Sequence, residues 1–141
     1  MNSSNVKNQN QLSDLALQAR NFSYSPYSQK KIGASLQLTN GKMYSGCNIE
    51  NASYGGTVCA ERVAIWKAFS ENSTSEKIVE VVVASDADSP WPPCGFCRQV
   101  IAEFATPDTI IKLINLNQTQ TIYKFKDLFP EAFKPEHLNK K

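Results

Sequence analysis

Apolar residues recur along the chain with two spacings, one typical of helices and one typical of strands. A first helix is predicted from about Ser13 to Asn21, on the apolar positions Leu12, Leu15, Ala16 and Ala19. Residues 32–38 and 43–49 are predicted to be strands, because the Asn40-Gly41 pair between them is typical of a β-hairpin turn. Residues 1–10 are rich in Asn, Ser and Gln and are predicted to be loose.

The rest of the chain continues to alternate between helix and strand. Residues 58–69 are apolar on most faces, which predicts a buried helix, and the β-branched run 78–84 predicts a central strand covered on both sides. The remaining predicted elements are a helix with Val100, Ile101 and Phe104 on its apolar stripe, strands near 109–115 and 121–125, and a short helix around 126–128. This order predicts a three-layer α/β/α fold of the α/β class, with a five-stranded mixed sheet in one domain over residues 11–141.

Composition and charge narrow the partners that we expect. The chain has 141 residues, is 41% hydrophobic and carries a net charge of +2. It contains no apolar run of the roughly 20 residues that a membrane-spanning helix needs, and its first residues lack the apolar core of a secretory signal. The near balance of charge argues against nucleic acid as the main partner. We therefore expect a cytoplasmic protein that binds neither a membrane nor nucleic acid.

The histidine and cysteine content limits the chemistry. The single histidine is His137, in the polar C-terminal tail, so catalytic triads and histidine-based metal sites are almost excluded. The four cysteines are Cys47, Cys59, Cys94 and Cys97. In a reducing compartment, metal binding is favoured over two disulfides.

Three of these cysteines stand at predicted helix starts. Cys94 and Cys97 are three residues apart after a proline-rich segment, and Cys59 is followed two residues later by Glu61. Thiolates in the first turns of two helices can converge on one ion, and the positive helix N-termini stabilise them. Three cysteines with one open position are typical of a catalytic zinc site.

Two other interpretations of the cysteines stay open. Cys47 could be a fourth ligand, which would make the site closed and structural. Cys94 and Cys97 could instead form a thioredoxin-like redox pair, although that leaves the Cys59-Ala-Glu61 segment unexplained.

Charged neighbours of the cysteines suggest a catalytic arrangement. Zinc with an open position can lower the pKa of a bound water toward ~7, and Glu61 is placed to accept its proton. Three thiolates leave an excess of negative charge, which Arg62 or Arg98 could offset by donating hydrogen bonds to sulfur.

Several motifs in order resemble one enzyme family. They are Ser25-Pro-Tyr-Ser, Gly46-Cys-Asn-Ile-Glu-Asn-Ala52, Cys59-Ala-Glu-Arg62, Cys94-Gly-Phe-Cys-Arg-Gln-Val100 and Leu128-Phe-Pro-Glu-Ala-Phe133. Together they resemble the small homotetrameric zinc-dependent cytidine deaminases over roughly residues 12–138.

The resemblance implies a hydrolase of pyrimidine salvage that converts cytidine and deoxycytidine to uridine and deoxyuridine and releases ammonia. It implies one Zn²⁺ per subunit, held by Cys59, Cys94 and Cys97. By the same resemblance, Glu61 carries the proton from water to the pyrimidine N3 and to the leaving amine.

Roles for other residues follow from the same resemblance. Asn48 and Glu50 are expected to bind the ribose 3′-hydroxyl, and the Ala60 amide to bind the base carbonyl. Arg62 and Gln99 match residues that surround the zinc ligands. The family forms a homotetramer with shared active sites. Three residues match positions that enter a neighbouring subunit's pocket in that assembly, namely Ala52, Tyr54 and Phe133.

The sequence departs from the family at a few positions. Lys30 stands where the family usually carries an aromatic residue that lines the base and sugar, and Trp91 and Phe96 are bulkier than usual beside the Cys94 pair. These departures predict a reshaped pocket that tolerates modified cytosine nucleosides.

Other functions are weighed against this one. The Gly55-Gly56 pair before Cys59 resembles enzymes that deaminate aminonucleoside antibiotics such as blasticidin S, although the Asn48-Ile-Glu50 segment favours a ribose ligand. A polynucleotide deaminase needs a basic channel, which the charge balance disfavours. A non-catalytic structural zinc protein would be indifferent to the substitution Glu61→Gln.

Overall fold

The computed structural model describes residues 3–138, which form four helices and five strands. In chain order they are α1 (Ser3–Arg20), β1 (Gly33–Leu38), β2 (Met43–Cys47), α2 (Ala60–Glu71), β3 (Ile78–Ser85), α3 (Gly95–Phe104), β4 (Ala105–Asn115), β5 (Gln120–Lys124) and α4 (Phe125–Leu128). Short 3₁₀ turns lie at Tyr54–Gly56 and Pro135–His137. Within the described residues, none of the helices combines the length and the apolar character needed to cross a membrane.

The strands form one mixed sheet in the order β2-β1-β3-β4-β5. Only the central pair β3 and β4 is parallel, and the other neighbours are antiparallel. This confirms the predicted five-stranded mixed sheet. The crossover from β3 to β4 runs through α3, which has one cysteine as its N-cap and another in its first turn.

Each face of the sheet is covered by helices. On one face, Leu12 and Ala16 of α1 pack with Val82, Ala84 and Ile114. On the other, the larger cluster joins Ala64 and Ile65 of α2 and Ile101 of α3 to inward-facing strand residues that include Leu36, Val81, Val83, Ile111 and Leu113. The predicted three-layer arrangement is therefore confirmed.

Two glycines allow helices to lie close to the edge half of the sheet. A Cβ at Gly33 of β1 would lie 1.9 Å from the carbonyl oxygen of Ala16 in α1, and one at Gly46 of β2 would lie 2.7 Å from the amide nitrogen of Ala64 in α2. The positions of α1 and α2 on opposite faces therefore depend on the absence of a side chain at these two residues. The position of α2 matters for the site, because its first residues carry Glu61 and follow Cys59.

Some boundaries differ from the sequence prediction. Helix α1 begins at Ser3, ten residues before the predicted start, because no Gly or Pro between residues 3 and 20 stops the helix from extending. The second helix begins at Ala60 rather than Val58, and β4 begins at Ala105 rather than Thr109. The looseness predicted for residues 1–10 stays a prediction, and residues 1 and 2 lie outside the described residues.

Candidate metal centre and active site

Two helix N-termini bring three cysteines together. Cys59 is the N-cap of α2, Cys94 is the N-cap of α3, and Cys97 lies in the first turn of α3. Their sulfur atoms all lie within 4.8 Å of one another, and the Sγ atoms of Cys59 and Cys94 are 3.9 Å apart. Within residues 3–138, this is the one cluster of three or more cysteine, histidine or acidic side chains that could hold a metal ion.

The donor set fits zinc. Three thiol sulfurs lie close together beyond two helix ends, and a cluster of soft sulfur ligands is typical of a zinc site. Cys47 is not part of the group, so the interpretation of a closed four-cysteine site within one chain is wrong. It lies instead in a separate cavity beside Val63 and Lys67.

Two of the thiols affect each other's protonation. A hydrogen bond from the Cys97 thiol and, to a smaller extent, the nearby guanidinium of Arg62 together lower the pKa of Cys59 to about 5, against the effect of burial. The same hydrogen bond raises the pKa of Cys97, because this thiol keeps its proton while it donates to Cys59. Cys59 therefore becomes a thiolate more readily than Cys97.

Glu61 is buried beside the thiols. Its side chain is only 4% exposed, and this burial raises its pKa to about 7, with the nearby Cys59 charge acting in the same direction. A carboxyl group with a pKa near neutrality can both accept and donate a proton at physiological pH.

A cavity of about 350 Å³ opens above this group. Its lining includes Cys59, Glu61 and Cys94, together with four residues predicted to contact substrate, namely Lys30, Asn48, Glu50 and Ala60. Trp91 also lines it, whereas Phe96 is not among its lining residues. The structure therefore brings the predicted chemical and substrate-binding groups to one cavity, and Phe96 does not reshape it.

Asn48 organises the loop that forms one wall of the cavity. Its Oδ1 accepts hydrogen bonds from the Ile32 amide at 2.9 Å and from Ser23 Oγ at 2.5 Å, while its Nδ2 donates to the Lys30 carbonyl at 2.8 Å. Because Nδ2 carries two hydrogens, one N–H of this buried amide is left for a ligand.

Glu50 is held as an acceptor on the same wall. The Ser28 hydroxyl donates to its Oε1, and the amides of Tyr27 and Ser28 donate to its Oε2 at 2.9 and 3.2 Å. These hydrogen bonds, the one from the Ser28 side chain above all, lower the pKa of Glu50. The carboxylate is therefore ionised at neutral pH, with its orientation fixed by the loop.

Short backbone bridges link this wall to the metal ligands. Ile49 pairs in parallel with Tyr24 and antiparallel with Val58, and both amide-to-carbonyl hydrogen bonds between Ile49 and Val58 are 3.0 Å long. Val58 directly precedes Cys59. The backbone at Tyr24, Ile49 and Val58 thus forms a three-segment ladder, which connects the wall that carries Asn48 and Glu50 to Cys59.

Not every predicted residue reaches this cavity. Ala52 and Phe133 are exposed and do not line it, and Tyr54, which is 76% exposed, lines an adjacent cavity of about 380 Å³ with Tyr27 and Glu50. The side chain of Gln99 forms two hydrogen bonds with the backbone of Phe133. Its Nε2 donates to the Phe133 carbonyl at 2.8 Å, and its Oε1 accepts from the Phe133 amide at 3.3 Å. The role of Gln99 beside the zinc ligands stays a prediction.

The two arginines beside the cysteines have different partners. Arg62 Nη2 donates to Cys59 Sγ at 3.6 Å, as predicted for one of them. Arg98 instead donates to the carbonyls of Pro93 at 2.8 Å and Leu128 at 2.9 Å. It therefore fixes the loop before α3 and the end of α4.

Comparison with known proteins places this site in a family. The model of the cytidine and deoxycytidylate deaminase zinc-binding region matches residues 6–113. The chain belongs to this family. Among its relatives, the cytidine deaminase of Halalkalibacterium halodurans is 45% identical over 88% of this chain and 92% of its own length. The cytidine deaminase of Sporosarcina psychrophila is 44% identical over 86% of this chain and 88% of its own length.

Solved structures give the same result. The crystal structure of cytidine deaminase from Burkholderia pseudomallei has a TM-score of 0.81 and 37% identity, and the match covers 88% of this chain and 98% of that chain. Family membership identifies zinc as the metal of the domain, and Cys59, Cys94 and Cys97 are the thiols placed to hold it.

Proposed function

We propose that the protein catalyses the hydrolytic deamination of cytidine and deoxycytidine to uridine and deoxyuridine, with release of ammonia. The observation that best supports this function is the position of buried Glu61 beside three clustered thiols, in a cavity that Asn48 and Glu50 also line. The relatives named as cytidine deaminases support the same reaction.

Glu61 supplies the proton transfers of this reaction. Zinc, when bound by the three thiolates, lowers the pKa of a water molecule toward ~7. Glu61 accepts a proton from water and delivers it to N3 of the cytosine ring, and a second transfer reaches the amino group. The oxygen of that water forms a bond to C4, the C4–N bond breaks and the protonated amino group leaves as ammonia, so that cytidine and water give uridine and ammonia.

The cavity wall supplies the groups that bind the nucleoside. The remaining N–H of Asn48 and the ionised carboxylate of Glu50 offer a donor and an acceptor to the ribose 3′-hydroxyl. Ala60 is the first residue of α2, so its amide has no acceptor within the helix and is suited to the base carbonyl.

A direct assay tests this proposal. The zinc-loaded protein is mixed with cytidine, and the fall in ultraviolet absorbance is followed together with ammonia release. Conversion at equal rates by both readouts supports the proposal. A folded, zinc-loaded protein that leaves cytidine unchanged would contradict it and direct attention to modified cytosines or aminonucleoside antibiotics.

We further infer a homotetramer with shared active sites and one Zn²⁺ per subunit. Tyr54 and Phe133, which are 76% and 55% exposed, are large apolar side chains that a neighbouring subunit would cover. Ala52 lies in the same exposed segment as Tyr54. The four free thiols are consistent with a cytoplasmic enzyme of pyrimidine salvage.

Lys30 is proposed to set the substrate range. Its side chain lines the cavity while its carbonyl is fixed by Asn48, so a cation stands among the groups that contact the nucleoside. We expect Lys30→Phe to lower kcat/KM for N4-substituted cytidines relative to cytidine, because the larger apolar ring narrows the pocket.

The matched control for this substitution is Lys31→Phe, at an exposed neighbour that does not line the cavity. The measurement is the ratio of kcat/KM for N4-methylcytidine and cytidine in the two variants and the parent protein. An unchanged ratio in Lys30→Phe would show that Lys30 does not set the substrate range.

A further inference from the structure

The guanidinium of Arg62 lies between a thiol and two aromatic rings. Its Nη2 is 3.6 Å from Cys59 Sγ, its Cζ is 4.2 Å from the centre of the Phe96 ring, and the same atom is 5.7 Å from the centre of the Trp66 ring. Both ring distances fall within the range of cation–π contacts.

The same two helices supply the metal ligands and this aromatic contact. Arg62 and Trp66 are four residues apart on α2, so they share one face of the helix. Phe96 lies on α3 between Cys94 and Cys97. The ring therefore takes its position from the same first turn that orients the two thiols.

Apart from its contacts with the thiols of Cys59 and Cys97, Arg62 has few contacts that could fix its position. Its Nε is buried and has no hydrogen-bond partner within residues 3–138, and its hydrogen bond to sulfur is long. An arginine side chain also loses considerable rotamer freedom when it is held in one position. Something else must hold the guanidinium against Cys59, and the face of Phe96 is the group in contact with it.

Phe96 itself is 62% exposed and lines none of the cavity above the thiols. A large exposed ring between two metal ligands is thus explained neither by core packing nor by substrate contact. Its contact with Arg62 is the interaction that the described residues give it.

We propose that Phe96 is a positioning residue, whose ring face holds the Arg62 guanidinium against the Cys59 thiolate, with Trp66 as a weaker second contact. The hydrogen bond from Arg62 withdraws charge from one of the three thiolates, so the aromatic contact controls how much negative charge the metal receives. This inference rests on the proposed zinc chemistry and adds a residue that acts on it through Arg62.

Substitution with cobalt makes the thiolates directly observable. The protein loaded with Co²⁺ has a thiolate-to-cobalt charge-transfer band, whose energy depends on hydrogen bonding to sulfur. The variants at Phe96 are Phe96→Leu, which keeps apolar volume without a π face, and Phe96→Tyr, which keeps the ring. The others are Trp66→Leu, Arg62→Gln and the double variant Phe96→Leu/Arg62→Gln.

We expect Phe96→Leu to shift the band in the same direction as Arg62→Gln and to lower kcat for cytidine about threefold, with KM little changed. Phe96→Tyr should restore the band and the rate. In the Arg62→Gln background, Phe96→Leu should cause no further shift, because the contact through which it acts has been removed. Trp66→Leu should give a smaller shift than Phe96→Leu.

Two results would overturn the proposal. One is a band that is unchanged in Phe96→Leu, and the other is a set of shifts in Phe96→Leu and Arg62→Gln that simply add in the double variant. The band is measured without substrate, so a protein that fails to deaminate cytidine still tests the role of Phe96. Sedimentation of each variant identifies any effect that comes instead from an altered oligomeric state.

Discussion

At the scale of single residues, Glu61 connects the environment of the site most directly with its proposed chemistry. The Glu61 carboxyl group is buried beside the thiols, and this burial raises its pKa to about 7. We expect Glu61→Gln to lower kcat about 10³-fold, because the amide cannot carry a proton, while zinc content stays the same. The ultraviolet assay and metal analysis of the purified variant measure both quantities.

Glu71 provides a matched control on the same helix. It is an exposed residue at the end of α2, so Glu71→Gln removes the same charge far from the thiols and should leave kcat unchanged. Full activity of Glu61→Gln would show that Glu61 is not the group that carries the proton.

The residues that sequence predicts well are those whose position depends on local spacing. Cys94 and Cys97 converge because residues three apart at a helix start lie on one face, and Glu61 follows Cys59 by a similarly short step. By contrast, the contact of Arg62 with Phe96 depends on how α2 approaches α3, and the pairing of Gln99 with Phe133 spans 34 residues. Neither relation has a signal in the local pattern.

At the scale of elements, the strands and the three later helices follow the predicted order, and the errors fall at their ends. The early start of α1 has no signal in the sequence pattern, because Asn, Ser and Gln give no apolar periodicity, although nothing in residues 3–12 interrupts a helix. Cys59 is predicted in the first turn of a helix over residues 58–69 and is instead the N-cap of that helix. In either position its thiol lies at the helix end, where it can face those at the start of α3.

Strand β3 carries a buried carboxyl group, that of Glu80, whose effect on the free energy of unfolding depends on pH. Burial raises the pKa of Glu80, and Lys112 on the neighbouring strand β4 offsets only part of the rise. Because the pKa is higher in the folded than in the unfolded protein, the stabilisation from protonated Glu80 is complete below the unfolded pKa and is lost as pH rises through the folded pKa.

Glu80→Gln cannot ionise and should therefore unfold at a higher temperature than the parent protein at pH 8. The difference should shrink as the pH falls below about 4, where the parent carboxyl group is protonated as well. Thermal unfolding at several pH values measures this, and the exposed Glu103 of α3 supplies the control Glu103→Gln. A gain that is equal at pH 8 and at low pH would contradict the burial argument.

At the scale of the whole molecule, the proposed shared sites can be tested by mixing. Phe133→Ala retains Glu61, whereas Glu61→Gln retains Phe133, so each variant lacks a different part of a shared site. If a neighbouring subunit supplies Phe133, refolding the two weakly active variants together should give more activity than the sum of the two refolded separately. Activity equal to that sum would show that each subunit completes its own site.

The ladder through Ile49 has a consequence for how substrate specificity can change. The groups proposed to bind the sugar, Asn48 and Glu50, flank Ile49, and Val58, which pairs with Ile49, precedes Cys59. The span from the sugar contacts to the reacting carbon is therefore set by main-chain geometry, which a change of side chain leaves intact. Substitutions at Lys30 or Trp91 can alter which substituents on a ligand the cavity accepts. The length of ligand that fits between the sugar contacts and the cysteines stays constant.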